Sequence, residues 1–416
     1  MHVVVFEGSN WRGFAPLSLS RPVFALASGT GLLIDRQLRH LKPSRVTLWC
    51  RDGLADWVAA EIAPRVNTLA GCEIAINRPL DDEPALLIDG GTTTFSAGEP
   101  VEGVGVIAAG GSVRRAVVRD AGLSPADALE STERWQAILG LPKLPGELRS
   151  ADWAWDLVAH NQEALAEDYA AQFADRAGDR RPEGHYHVIN AERVSFGAAV
   201  AMEPGAVLDA SRGPVMLADG CSIGANSVIK GPAYVGPHCQ VKPMTVIHAG
   251  TTLGPVCKVG GEISNAILTG YSNKAHEGYL GDSYLGEWVN LGAGTITSNL
   301  KNTYGEIKIR IGSRELPTGM RHLGSLIGDH AKTAIGTRLM TGSYVGYSSM
   351  IAASGLPPTF VPSLSFITDR GREAYRMDKA VEVMKAVYAR RQKGWNAVEE
   401  GRVRYVAEMA AEVEGQ

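Results

Sequence analysis

From Leu217 onward an aliphatic residue returns at every sixth position: Leu217, Ile223, Ile229, Val235, Val241, Ile247, Leu253 and Val259. Glycine often follows it, as at Gly224, Gly236, Gly254 and Gly260. A second tract keeps the spacing at Ile327, Thr333, Leu339, Val345 and Ile351. Short periods of this kind mark β-helices, in which each hexad forms one flat side and three sides close a coil. Four residues after each start stands a small residue: Cys221, Ser227, Ala233, Cys239, Thr245, Thr251 and Cys257. The three cysteines recur once per coil, so they stack as an inward column at a strand spacing of about 4.8 Å. A metal site is the alternative reading. The column also holds Ser, Ala and Thr, which favours thiols packed as small hydrophobes.

The rest of the chain follows other periods. "HVVVFEG", "RVTLWCR" and "ALLIDGG" are β-rich runs, and "LLIDRQLRHL" between the first two has helical spacing. That βαβ rhythm predicts a parallel sheet with ligands at the carboxyl ends of its strands. Ser124, Pro125 and Asp127 predict a helix start, with the serine as cap and proline in the first turn. Helical texture continues through "WAWDLVAHNQEALAEDYAAQFADRA", and "DRRPEG" at 179–184 is the linker candidate. After "SGLPPTFVP" breaks the hexads, residues 371–415 predict one or two amphipathic helices. Three regions follow: 1–183, an α/β domain with a helical tail; 184–356, the β-helix; and 357–416, a helical extension.

One stretch breaks the repeat. "GYSNKAHEGYLGD", 270–282, sets Tyr271, Asn273, Lys274, His276, Glu277 and Tyr279 where aliphatic starts belong. It predicts a loop held between rigid coils, able to project a base.

Composition narrows the classes. The balance of 41 basic and 45 acidic residues gives a net charge of −4, with no footprint for nucleic acid. No apolar run approaches the roughly 20 residues that span a bilayer. The N-terminus lacks the basic and apolar regions of a signal peptide, which implies a cytoplasmic protein. Five cysteines with no CxxC spacing do not suggest disulfides.

The motifs "HEGYLGDSYLGEWVNLGAGTITSN" and "SLIGDHAKTAIGT" resemble the acetyltransferase half of the bifunctional N-acetylglucosamine-1-phosphate uridyltransferase/glucosamine-1-phosphate acetyltransferase family. With "PLSLSRPVFAL", "TSNLKN" and "GLPPTFVPSLSF", nearly the whole chain is similar to a divergent bacterial branch of it. The resemblance implies a nucleotidyltransferase-like (Rossmann-like) α/β domain, a left-handed parallel β-helix and C-terminal helices. It implies a homotrimer acting on a sugar phosphate and a nucleoside triphosphate, with acetyl-CoA as co-substrate and Mg²⁺ as metal. By motif, His276 takes the place of the general base. Tyr279, Asn290 and Asn299 line the sugar-phosphate site, with Glu262 and Lys274 beside them, and Ala293 and Thr337 meet acetyl-CoA. The residue types suit the chemistry, because an amine attacking a thioester must lose a proton that a neutral imidazole can take. The oxyanion then needs fixed donors. In the N-terminal half the resemblance gives Gly8, Arg12 and Arg21 to the nucleotide and Asp89 to Mg²⁺, a hard cation that prefers oxygen ligands.

Two departures stand out. The family sets a lysine for the substrate phosphate two residues after a glutamate, and here Glu262 is followed by Ile263 and Ser264. An earlier arginine has no clear match, His248 being nearest. The rival readings are an acyltransferase whose N-terminal domain only binds sugar nucleotide, and a non-catalytic sugar-nucleotide-binding scaffold. A β-helix carbonic anhydrase would need stacked histidines, and His238 and His248 do not share a column.

Overall fold

The computed structural model describes all residues except 40, 94–102, 147, 177 and 416. In the N-terminal part, β1 (His2–Phe6), β2 (Arg45–Trp49), β3 (Glu73–Ile76), β4 (Ala85–Asp89), β5 (Gly105–Ala109) and β6 (Ser112–Val118) form one sheet in the order β3-β2-β1-β4-β6-β5. The first four are parallel, and β6 runs antiparallel to both β4 and β5. Every residue of β1 and β4 is buried, as expected of central parallel strands covered on both faces. The helix α1 (Leu33–Arg39) makes the predicted crossover. The predicted cap at Ser124 is present, its N–H donating to Asp127 Oδ2 at 2.9 Å ahead of the helix Pro125–Glu130.

The hexads fold into a parallel solenoid with three faces. One face carries nine strands from Val194–Phe196 to Phe360–Val361. A second runs from His187–Ile189 to Tyr279–Gly281 and resumes at Ile296–Thr297 and Arg338–Leu339. The third runs from Ala201–Met202 to Asn273–Lys274, is bridged by Asn290, and continues through Lys332–Thr333 and Met350–Ile351 to Ser365–Thr368. The stack therefore extends past the "GLPP" break that sets the sequence boundary at 356. The aliphatic starts fill its axis, and Cys221, Cys239 and Cys257 are all fully buried there.

Coil length is where expectation and structure part. Leu253 pairs with Leu268 and Leu268 with Leu285, coils shorter than the eighteen-residue rule. Residues 270–282 are therefore not a projecting loop. Asn273–Lys274 and Tyr279–Gly281 are strands of two faces, and 275–278 is the corner between them. Lys274 pairs with Val259 and is 1% exposed, so a lysine occupies the aliphatic column. Its ammonium donates to the carbonyls of Gly260 (3.2 Å), His276 (2.6 Å) and Glu277 (3.0 Å). It thereby ties the corner closed from inside.

The nine-stranded face is covered. One apolar cluster joins Trp11, Phe14 and Trp155 to Tyr284, Leu326, Tyr344 and Tyr347, and to Met384, Val403 and Val406 of two C-terminal helices. These helices are α3 (Met377–Arg390) and α4 (Ala397–Glu414); α2 (Asn161–Gln172) docks on the same face at the upstream strands Ala233–Val235 and Thr251–Leu253. Asn161 Nδ2 of α2 donates to Gly250 O at 2.8 Å and to Thr252 Oγ1 at 2.9 Å. No helix among the described residues is long and apolar enough to cross a membrane.

Candidate active site

Tyr279 points outward from the second face, and its hydroxyl accepts a hydrogen bond from Asn299 Nδ2 at 3.1 Å. The same amide donates to Asp282 Oδ2 at 2.6 Å, and Asn265 Nδ2 donates to Asp282 Oδ1 at 2.7 Å. Burial and the nearby Asp282 carboxylate raise the Tyr279 phenol above its usual range, so it stays a neutral donor. One coil back, Glu262 Oε1 lies 3.0 Å from Nε2 of His248, a further coil back. Tyr279, Asp282, Asn299, Asn265 and His248 edge a polar cleft of about 640 Å³ along the corner between the second and nine-stranded faces.

His276 stands at the opposite edge of the same face, three residues before Tyr279, at the corner that Lys274 closes. It is exposed, and its imidazole makes no hydrogen bond among the described residues. One coil on, the 292–295 turn lies beneath it, since Gly278 packs on Thr295 as Asn273 does on Asn290. Ala293 accepts from Gly336 N at 2.7 Å, while its own N–H has no partner among the described residues. Backbone donor and imidazole thus share one edge of the solenoid.

Three assigned residues sit elsewhere. Lys274 is a core tie rather than a sugar ligand, because its ammonium is spent on three carbonyls. Burial pulls that ammonium down to about 8, with Glu277 opposing. Thr337 is 1% exposed and its hydroxyl donates to Ala334 O at 2.9 Å, so the side chain turns into the coil and away from any cofactor. Asn290 lies on the third face beside Asn273, whose Nδ2 donates to it at 3.3 Å. Within one chain it does not meet Tyr279.

The N-terminal assignments also move. Arg21 is 3% exposed and donates to Asp329 Oδ2 at 2.6 Å, with Glu287 Oε2 at 3.2 Å. It joins "SLSRP" to "SLIGDHAK" across the domain junction and is not free for a triphosphate. Asp89 Oδ2 accepts from Arg114 at 2.6 Å, and Oδ1 accepts from Gly91 N at 3.0 Å. Burial holds the Asp89 carboxyl above its usual range, against the pull of Arg114. Such a buried, paired carboxyl does not fit a Mg²⁺ ligand, and no group of three His, Cys, Asp or Glu among the described residues could hold a metal. Arg12 stacks on Trp11 and pairs with Glu412 of α4, half exposed. Beside it, residues near Gly8 (Ser9, Asn10) open on a pocket of about 470 Å³ that also receives Trp153 and Arg314.

Residues 3–177 match the sugar nucleotidyl transferase family. The "Bifunctional sugar-1-phosphate nucleotidylyltransferase/acetyltransferase" of Sulfurisphaera tokodaii is 34% identical over 85 residues, 20% of this chain and 21% of that protein. The "Bifunctional protein GlmU" of Methanocaldococcus jannaschii is 34% identical over 115 residues, 28% of each chain. Over these stretches the chain is similar to GlmU-like bifunctional transferases. Its alignment spans under a third of those relatives' own length. A solved "UDP-N-acetylglucosamine acyltransferase from Campylobacter jejuni" is similar at a TM-score of 0.28 and 12% identity over 56% of this chain and 96% of that one, too weak a likeness to decide any feature here.

Sequence reasoning missed Arg212 and Lys230, which line the same cleft as Tyr279 and Asn299. Coil arithmetic could have found Lys230, since Lys230 and His248 share the outward column of the second face. Arg212 lies in a turn, where no periodicity points.

Proposed function

We propose that the protein is a bifunctional sugar-phosphate transferase. Its solenoid transfers the acetyl group of acetyl-CoA to the amine of an amino sugar phosphate, and its N-terminal sheet handles the nucleotidyl part of a nucleotide sugar. The observation that carries the acyl-transfer reading is the uncommitted imidazole of His276, with Ala293 N–H beneath it and the Tyr279–Asn299–Asp282 network on the same face. His276 takes the amine proton as nitrogen attacks the thioester carbonyl. Ala293 N–H is the fixed donor for the oxyanion. Tyr279 and Asn299 orient the sugar.

The assembly belongs to this reading. Met244 (76% exposed) and Ile335 (79%) lie on the same corner line as His276, and Ile296 and Met340 flank it on the second face. An exposed apolar edge of this kind fits burial against further copies of the chain. A trimer would bring Asn290 of one chain toward Tyr279 of another, and the reading places the protein in the cytoplasm.

A second reading has a specific observation behind it: Arg21 and Asp89 are both held in buried ion pairs. The N-terminal domain then binds a sugar nucleotide without making one. Free-thiol release from acetyl-CoA across a panel of amino sugar phosphates tests the first activity. Pyrophosphate release from a nucleoside triphosphate and a sugar 1-phosphate tests the second. No thiol release with any amino sugar would overturn the acyl-transfer reading.

A further inference from the structure

The cleft beside Tyr279 is long and divided by charge. At one end lies the neutral and acidic network of Tyr279, Asn299 and Asp282. At the other lie Arg212 and Lys230, both exposed and without a short ion pair or side-chain hydrogen bond among the described residues, two cations against the single Asp209 carboxylate, which feels both. The strands between them stack in parallel: Val228–Lys230 on Val246–Ile247, that on Glu262–Ser264, and that on Tyr279–Gly281. Three steps of about 4.8 Å separate Lys230 from the Tyr279 strand by roughly 14 Å. Arg212 belongs to the coil beyond Lys230. With covalent bonds of about 1.5 Å, a hexose with one phosphate reaches roughly 8 Å and leaves the cationic end empty.

We propose that the acyl acceptor is a nucleoside diphosphate-linked amino sugar, with its diphosphate on Arg212 and Lys230 and its sugar on Tyr279 and Asn299. This rests on the acetyl-transfer reading and places that step after nucleotidyl transfer. The acceptor then lies along the upstream coils. Acetyl-CoA approaches from the downstream coils, where Ala293 stands. The sugar nitrogen bonds to the acetyl carbon, the carbon–sulfur bond breaks, the amine proton passes to His276, and the thiolate leaves to become free coenzyme A thiol. Ser264, outward between His248 and Gly281, leaves room for the first phosphate, which the anomeric oxygen joins directly to the sugar, and the second phosphate carries the charge on toward Lys230.

The test measures thiol release by the full chain with acetyl-CoA and either glucosamine 1-phosphate or UDP-glucosamine, with calorimetric titration of UDP-glucosamine and of coenzyme A alongside. The expected result is at least tenfold higher kcat/KM for UDP-glucosamine. Arg212→Ala/Lys230→Ala should then raise its KM at least tenfold, with kcat within twofold and coenzyme A affinity unchanged. Equal or better use of glucosamine 1-phosphate, with KM unmoved in the double variant, overturns the proposal and leaves acetyl transfer standing. Coenzyme A affinity falling instead gives the cations to the donor and also overturns it. UDP-glucosamine binding that weakens in the variant, with no thiol release from either acceptor, supports the cleft assignment and overturns acetyl transfer.

Discussion

Arg21 lies in a motif that suggests phosphate binding, yet the fold uses it to join two domains, and Arg21→Met separates these roles. The substitution keeps the length and apolar stem of the side chain. It leaves Asp329, 1% exposed, with Ser20 Oγ at 2.7 Å and Glu287 N at 2.7 Å but without its guanidinium. Removing one partner of a buried ion pair costs about 3–5 kcal/mol. The two remaining donors set the expectation at the lower end, about 3 kcal/mol. The pH dependence has a definite sign. In the native protein burial pushes Asp329 up, and Arg21, Arg402 and the Ser20 hydrogen bond together hold it below the usual carboxylate range. Its contribution is therefore present above the unfolded value and lost as pH falls through the lower folded value. Without Arg21 burial wins, the carboxyl rises, and protonation relieves the unpaired charge. The stability gap between native and variant protein should narrow as pH falls from about 6 toward about 4. Urea unfolding followed by fluorescence of the 8 tryptophans reads it, and Arg21→Met/Asp329→Asn should recover part of the loss. An unchanged urea midpoint with a selective loss of nucleotide binding would refute the reasoning and return Arg21 to the phosphate.

Three further outcomes follow from the same geometry. Burial lowers the Lys274 ammonium to about 8, so between that value and the unfolded lysine value the unfolded chain binds more protons and stability rises with pH; the native-minus-Lys274→Met difference should grow by up to about 3 kcal/mol across that window in urea titrations. Met244→Asp/Ile335→Asp places charge on the exposed edge, and sedimentation equilibrium should fall from three times 44.3 kDa to the single-chain mass while the fold persists. Pyrophosphate release from a nucleoside triphosphate and a sugar 1-phosphate is expected if the N-terminal domain transfers nucleotides, whereas a native protein that binds UDP-sugar and never releases pyrophosphate makes it a binding domain.

The solenoid was legible because each hexad repeats one local demand, an aliphatic inward and a small residue at the turn, so Leu217 to Val259 fix three faces without long-range knowledge. Residues 270–282 were misread for a related reason. Lys274 replaces the aliphatic signal, and only the coil above shows that its ammonium can be satisfied by carbonyls at Gly260, His276 and Glu277. In the α/β part, "HVVVFEG" and "ALLIDGG" announced themselves as buried strands. The antiparallel pair β5 and β6 did not, its edge residues alternating less cleanly. The junction was the least legible feature. Arg21 and Asp329 are 308 residues apart, and no local pattern couples an arginine in one motif to an aspartate in another. The same distance problem hid the division of the cleft, because Arg212 and Tyr279 come to line one cleft only through coil stacking.

The most direct measurement of the central claim is thiol release from acetyl-CoA by His276→Ala against the native chain, with the amino sugar acceptor that the native chain uses best. His276 is exposed and makes no side-chain hydrogen bond among the described residues, so the variant should keep its fold, its assembly and its affinity for coenzyme A. Loss of a positioned general base should lower kcat by about 10²–10⁴. Unchanged turnover in a folded variant would contradict the account and leave His276 an ordinary corner residue of the solenoid.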